Sequence, residues 1–200
     1  MVAKLHHVFE RHKRRRQLMN WISTVEPAPW TIAGFELGPL RFGHCLLIER
    51  FMDGGQNKII DLWRYLNIAS RTYEKSVRWL TKDVNTLFPV KRWAFCNTHK
   101  KPAKFEHVLR LWNKYVEENT ATPSVMMSEG SGTTIGTPYL QTVWNICIHK
   151  LNYNPQTIKE APFGEILWAV LAYNESQGGI RVVDDNLEQV FEKLKCQNLN

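Results

Sequence analysis

The chain has 200 residues, 44% of them apolar and 22% charged, which suits one globular domain with its own core and excludes an intrinsically disordered chain. The formal net charge is +7, and much of the excess falls on Lys4, Arg11, Lys13, Arg14, Arg15 and Arg16, opposed in that stretch only by Glu10. No apolar run approaches the roughly 18 residues of a membrane span, and no apolar h-region follows the basic start, so a soluble protein made in the cytosol is expected.

Residues 2–22 read as a basic amphipathic helix, with Leu5, Val8, Phe9, Leu18, Trp21 and Ile22 at roughly helical spacing. Pro27 and Pro29 end it, because proline has no N–H to donate. Residues 31–37 alternate weakly and suit a short strand or an extended segment before Gly38-Pro39. Residues 40–51 look helical and stop at Asp53-Gly54-Gly55, where glycine can turn left-handed. Residues 59–68 carry Ile59, Leu62, Trp63, Tyr65 and Leu66 on or near one helical face, and a short helix over 73–80 follows, with Ser70 or Thr72 as its cap. Residues 83–100 read as irregular, interrupted by Pro89. A helix over 102–118 starts on Pro102 and shows the stripe Phe105, Val108, Leu109, Trp112, Val116.

Residues 119–137 are rich in Thr, Ser and Gly and read as a long flexible loop. A helix over 138–151 follows, with Leu140, Val143, Trp144, Cys147, Ile148 and Leu151 on one face. Asn154-Pro155 opens a short helix to about Glu160, and Ala161-Pro162 opens another, closed by Gly178-Gly179. Asp184 or Asp185 caps a last helix to about Lys195; Asp185 and Glu188 have capping-box spacing. The expected fold is therefore mainly α: a basic helical arm over 1–26, and a single helical domain over 27–200 with one short β element.

The chemistry is sparse. Cys45, Cys96, Cys147 and Cys196 are too far apart for a zinc knuckle and read as reduced thiols in or beside apolar stretches. Residues 129–136 have the glycine content of a phosphate loop, but Thr137 stands where a P-loop needs lysine, and no nucleophile elbow is present either. His6, His7 and His12 sit in a basic segment that would repel a cation. Cys96 and His99 form a lone Cys-x-x-His, two ligands short of a zinc site. No local signature selects a catalytic triad, so no enzyme activity, cofactor or metal is expected. Trp63, Trp79, Trp112, Trp144 and Trp168 read as core residues. Trp21, Trp30 and Trp93 lie near breaks or in irregular sequence and are the better candidates for partner contacts, together with Arg11, Lys13, Arg14, Arg15 and Arg16. Arg11–Arg16 could instead neutralise the phosphates of a nucleic acid.

Three stretches together look familiar. They are Phe35-Glu36-Leu37-Gly38-Pro39-Leu40-Arg41-Phe42-Gly43-His44-Cys45-Leu46-Leu47-Ile48-Glu49, then Asp61-Leu62-Trp63-Arg64-Tyr65-Leu66-Asn67-Ile68-Ala69-Ser70, and Trp144 to Gly178 with Leu151-Asn152-Tyr153-Asn154-Pro155. They resemble small phage proteins placed among tail-assembly chaperones and related morphogenesis factors. The resemblance covers about residues 31–80 and 138–178, and the arm and the 119–137 loop depart from it. It implies a non-enzymatic protein that binds a phage tail, baseplate or capsid protein in the cytoplasm of the bacterial host, either as a chaperone or as a virion component. The alternative from the residues alone is a basic nucleic-acid-associated protein acting through the arm.

Overall fold

A computed structural model of the chain describes residues 26–51, 58–81, 89–123, 125–127 and 138–182. The arm, with its predicted helix over 2–22, the glycine-rich stretch 129–136 and the predicted last helix over 184–195 lie outside the described residues, as does Cys196.

Within them the fold is mainly helical. Strands β1 (Trp30–Ile32) and β2 (Phe35–Leu37) form an antiparallel hairpin in which Trp30 faces Leu37 and Ile32 faces Phe35. Its turn is Ala33-Gly34, both at positive φ (50° and 81°), the left-handed pair that a tight hairpin requires. Helices follow as α1 (Phe42–Phe51), α2 (Lys58–Ala69), α3 (Tyr73–Thr81), α4 (Pro89–His99), α5 (Pro102–Asn119), α6 (Tyr139–His149) and α7 (Phe163–Ser176). A 3-10 turn at Ile158–Glu160 leads into α7.

Four expectations are corrected. Residues 83–100 are not irregular throughout, because Pro89 opens α4 instead of interrupting the chain: proline at the first helical position loses no intrahelical bond. Residues 119–137 are not simply a loop, and the fold has more than one β element. Strand β3 (Val125–Met127) pairs antiparallel with β4 (Ile180–Val182), with Met126 opposite Arg181. The indole N–H of Trp168 donates to the Ala121 carbonyl at 3.0 Å, which ties the approach to β3 onto α7. The short helix expected before Glu160 is a turn over 155–157 followed by three 3-10 residues.

One hydrophobic cluster runs through the described residues. It takes Ile32 and Leu37 from the hairpin, Leu62, Trp63 and Leu66 from α2, Val108, Trp112 and Tyr115 from α5, Val143 and Cys147 from α6, and Ile166, Leu167 and Val170 from α7. Each such aliphatic side chain, taken fully out of water, contributes about 1.5–3 kcal/mol against the entropy of ordering the chain. The aromatic members interlock: Trp112 lies 5.4 Å from Tyr115 and 5.9 Å from Tyr65 between ring centroids. The Tyr115 hydroxyl donates to the Gly38 carbonyl at 2.9 Å, and Asn119 Oδ1 accepts from the Leu40 N–H at 2.7 Å. The C-terminal half of α5 thus holds the link between the hairpin and α1.

The start of α1 and the start of α7 complete one another. The first N–H groups of a helix have no partner within it. Here the Phe42 N–H donates to the Ala161 carbonyl at 3.0 Å, and the Phe163 N–H donates to the Leu40 carbonyl at 2.7 Å. Arg41 and Pro162 form an antiparallel bridge between these bonds. The Phe42 and Phe163 rings meet at 5.7 Å, and Phe42 stacks on Trp144 at 6.1 Å. Each helix therefore opens on a Phe-Gly pair, Phe42-Gly43 and Phe163-Gly164, with both members buried.

Candidate functional site

The reciprocal helix starts set up a groove beside them. Leu46, Glu49 and Arg50 come from α1 at helical spacing, Gln141 and Trp144 from α6 with Pro138 just before it, and Lys159 from the 3-10 turn; they line about 560 Å³. The Lys159 ammonium lies 5.8 Å from the Trp144 ring centroid and 5.4 Å from that of Tyr73, so the two aromatic faces hold the cation at the rim. Tyr139, on the first turn of α6, is 64% exposed. Gly43 brings α1 close to this rim: a Cβ there would sit 2.6 Å from the Lys159 carbonyl oxygen and 2.9 Å from Tyr73 Cγ.

A polar group beneath fixes the start of α1. Arg41 and Glu160 form an ion pair across the bridge. Burial of Glu160 works against its ionised form, but Arg41 and the Tyr73 and Glu74 backbone outweigh it and hold the carboxyl below its usual range. His44, the third residue of α1, is fully buried, and its Nδ1 accepts from the Arg41 N–H at 3.3 Å. This is half of a capping box with histidine in place of glutamate. Accepting at Nδ1 requires that ring nitrogen to be unprotonated. Burial first, and then the Arg41 charge, push the His44 pKa down to about 4, against partial opposition from the Arg71 backbone and Glu160. Sequence reading passed over His44 as part of a helix start; its distance of three residues from Arg41 was the available signal.

The partner-contact candidates divide. Arg11, Lys13, Arg14, Arg15, Arg16 and Trp21 lie outside the described residues. Trp30 packs against the core: its ring meets Tyr115 edge-on at 6.3 Å and carries the Lys114 ammonium at 5.6 Å. Trp93 stands on α4 at 67% exposure with Val90 at 72%, and they line an open depression of about 630 Å³ with Arg92 and Cys96. Of the five expected core tryptophans, Trp63 and Trp112 are buried; Trp79, Trp144 and Trp168 are half-buried.

A second basic segment stands beside the arm's share of the charge. Residues 89–104 carry Lys91, Arg92, Lys100, Lys101 and Lys104 and no Asp or Glu, and the structure gathers them on the α4–α5 hairpin. The alternation of lysines and aromatics over 83–100 is visible in the sequence and marks the segment as an interaction surface; the helix that carries them is not expected there.

The cysteines are free thiols at Cys45, Cys96 and Cys147. Burial pushes Cys45 up to about 12 and Cys147 up to about 11, which leaves both protonated and unreactive at neutral pH. His99 Nδ1 lies 2.9 Å from the Phe95 carbonyl and so donates to it. Among the described residues no three His, Cys, Asp or Glu side chains are grouped to hold a metal ion, and no helix is long and apolar enough to cross a membrane. Comparison with protein-family models, curated proteins and solved structures finds no match to this chain.

Proposed function

We propose that this chain is a non-enzymatic phage morphogenesis protein, a tail-assembly chaperone or related virion component, that binds a tail, baseplate or capsid protein in the cytoplasm of the bacterial host. The observation that supports this reading is the groove between α1, α6 and the 3-10 turn. Its walls come from the two regions, 31–80 and 138–178, that carry the likeness to phage morphogenesis factors. It offers Leu46 and Trp144 on its walls, with Tyr139 exposed near the same end of α6 and Glu49, Arg50 and Lys159 at hand for orientation. An apolar floor with charged edges suits a side chain or short helix of another protein.

The test is a pull-down from phage-infected cells at about 150 and 500 mM salt after nuclease treatment, since apolar burial is not screened while phosphate contacts are. A tail, baseplate or capsid protein retained at high salt by the wild type and lost with Tyr139→Ala/Gln141→Arg supports the reading. Retention by that variant, or recovery of nuclease-sensitive material alone, overturns it.

A further inference from the structure

The α4–α5 hairpin lies apart from the groove just described, and its chemistry is different. Val90, Trp93 and Asn97 fall at i, i+3 and i+7, so they run along one side of α4, and Lys100 follows directly after its last residue; all four are exposed. Lys101, the N-cap of α5, and Lys104, in its first turn, are also exposed, and Lys91 and Arg92 precede Trp93 in the chain. The segment 89–104 contains no Asp or Glu.

We propose that this face binds single-stranded nucleic acid, with the Trp93 indole as a base-stacking platform and Lys100, Lys101 and Lys104 on the phosphates. Three observations favour this occupant over an acidic protein. First, among the described residues the hairpin exposes two large apolar side chains, Val90 and Trp93, a small apolar centre for a stable protein interface. Second, the depression at Trp93 is shallow, open and walled mostly by apolar surface, as a ring-shaped base requires. Third, α5 starts without a side-chain cap on Lys101 and with Pro102 in its first turn, so the positive end of its dipole adds to the lysines. An aromatic face beside a run of cations is the arrangement by which proteins hold unpaired strands without reading their sequence. The inference is independent of the groove and of the phage reading.

The experiment uses the full chain and a fluorescein-labelled dT20 oligonucleotide, with anisotropy read at 50, 150 and 400 mM NaCl. The expected result is binding at 50 mM that weakens steadily with salt. Trp93→Ala weakens it by at least about fivefold, within the range of one lost stack. Lys100→Ala/Lys101→Ala/Lys104→Ala flattens the log–log salt slope by about two, as three lost single-strand phosphate contacts require. These residues are exposed, and circular dichroism is the check that the variants fold. Arg14→Ala/Arg15→Ala/Arg16→Ala isolates the arm: the Trp93 effect persists in that background. Three results overturn the proposal: no dT20 binding at 50 mM NaCl, unchanged binding by Trp93→Ala, or displacement of dT20 by poly-L-glutamate as effectively as by unlabelled dT20. The last would assign the face to an acidic polypeptide.

Discussion

Gly43→Ala is a test whose sign depends on the packing described above. In an open helix the change is favourable, because alanine exceeds glycine in helix propensity by about 1 kcal/mol. At Gly43 the added methyl would lie 2.6 Å from the Lys159 carbonyl oxygen, whereas ordinary carbon–oxygen contacts begin near about 3.3 Å. The backbone cannot retreat easily. The Phe42 N–H is bonded to Ala161 on one side and the Phe163 N–H to Leu40 on the other, at 3.0 and 2.7 Å. Tyr73 closes the remaining direction, with its Cγ at 2.9 Å. Overpacking of this kind costs about 1–3 kcal/mol, and the propensity gain is reduced in the first helical turn, so the net loss is about 1–2 kcal/mol. For a chain of this length that lowers Tm by about 3–6 °C, read by circular dichroism at 222 nm and by urea titration with an unchanged m-value. Gly179→Ala is the control: its methyl meets only the Asn174 carbonyl oxygen at 3.6 Å, an ordinary contact, and stability stays within about 0.5 kcal/mol. A rise in Tm for Gly43→Ala would refute the close approach of α1 to the 3-10 turn.

Further outcomes follow from individual groups. His44 has a pKa of about 4 in the fold against 6.5 for the free side chain, so the unfolded chain binds the extra proton first. Stability is intact above about pH 6.5 and falls as pH drops towards 4, by on the order of 3 kcal/mol in all; His44→Gln, whose amide oxygen can still accept from Arg41, flattens Tm across that window. A wild-type Tm that is level from pH 6.5 to 4.5 contradicts a buried neutral His44. Asn119→Ala leaves the buried Leu40 N–H without its 2.7 Å acceptor and lowers stability by about 1–3 kcal/mol, measured by urea unfolding; an effect below about 0.5 kcal/mol would mean that α5 does not hold the link before α1.

Most helices were legible in the sequence because each buries a face whose period is its own. The Leu62, Trp63 and Leu66 pattern of α2, the Val108 and Trp112 stripe of α5 and the Val143 and Cys147 face of α6 mark both type and extent. Pro102 and Gly178-Gly179 mark a start and a stop. Helix α4 was not legible, because Phe95 is its one buried residue among those described and a single contact gives no period. The β3–β4 pair was equally silent: three-residue strands more than fifty positions apart find their register only after α7 has brought the ends together. The groove and the reciprocal bonding of the α1 and α7 starts belong to the same class. Periodicity is a property of one segment against a generic core, so the sequence carries it locally. Which carbonyl satisfies the Phe42 N–H, and which rings close on Lys159, depends on the relative placement of separate segments, and only the tertiary structure decides that.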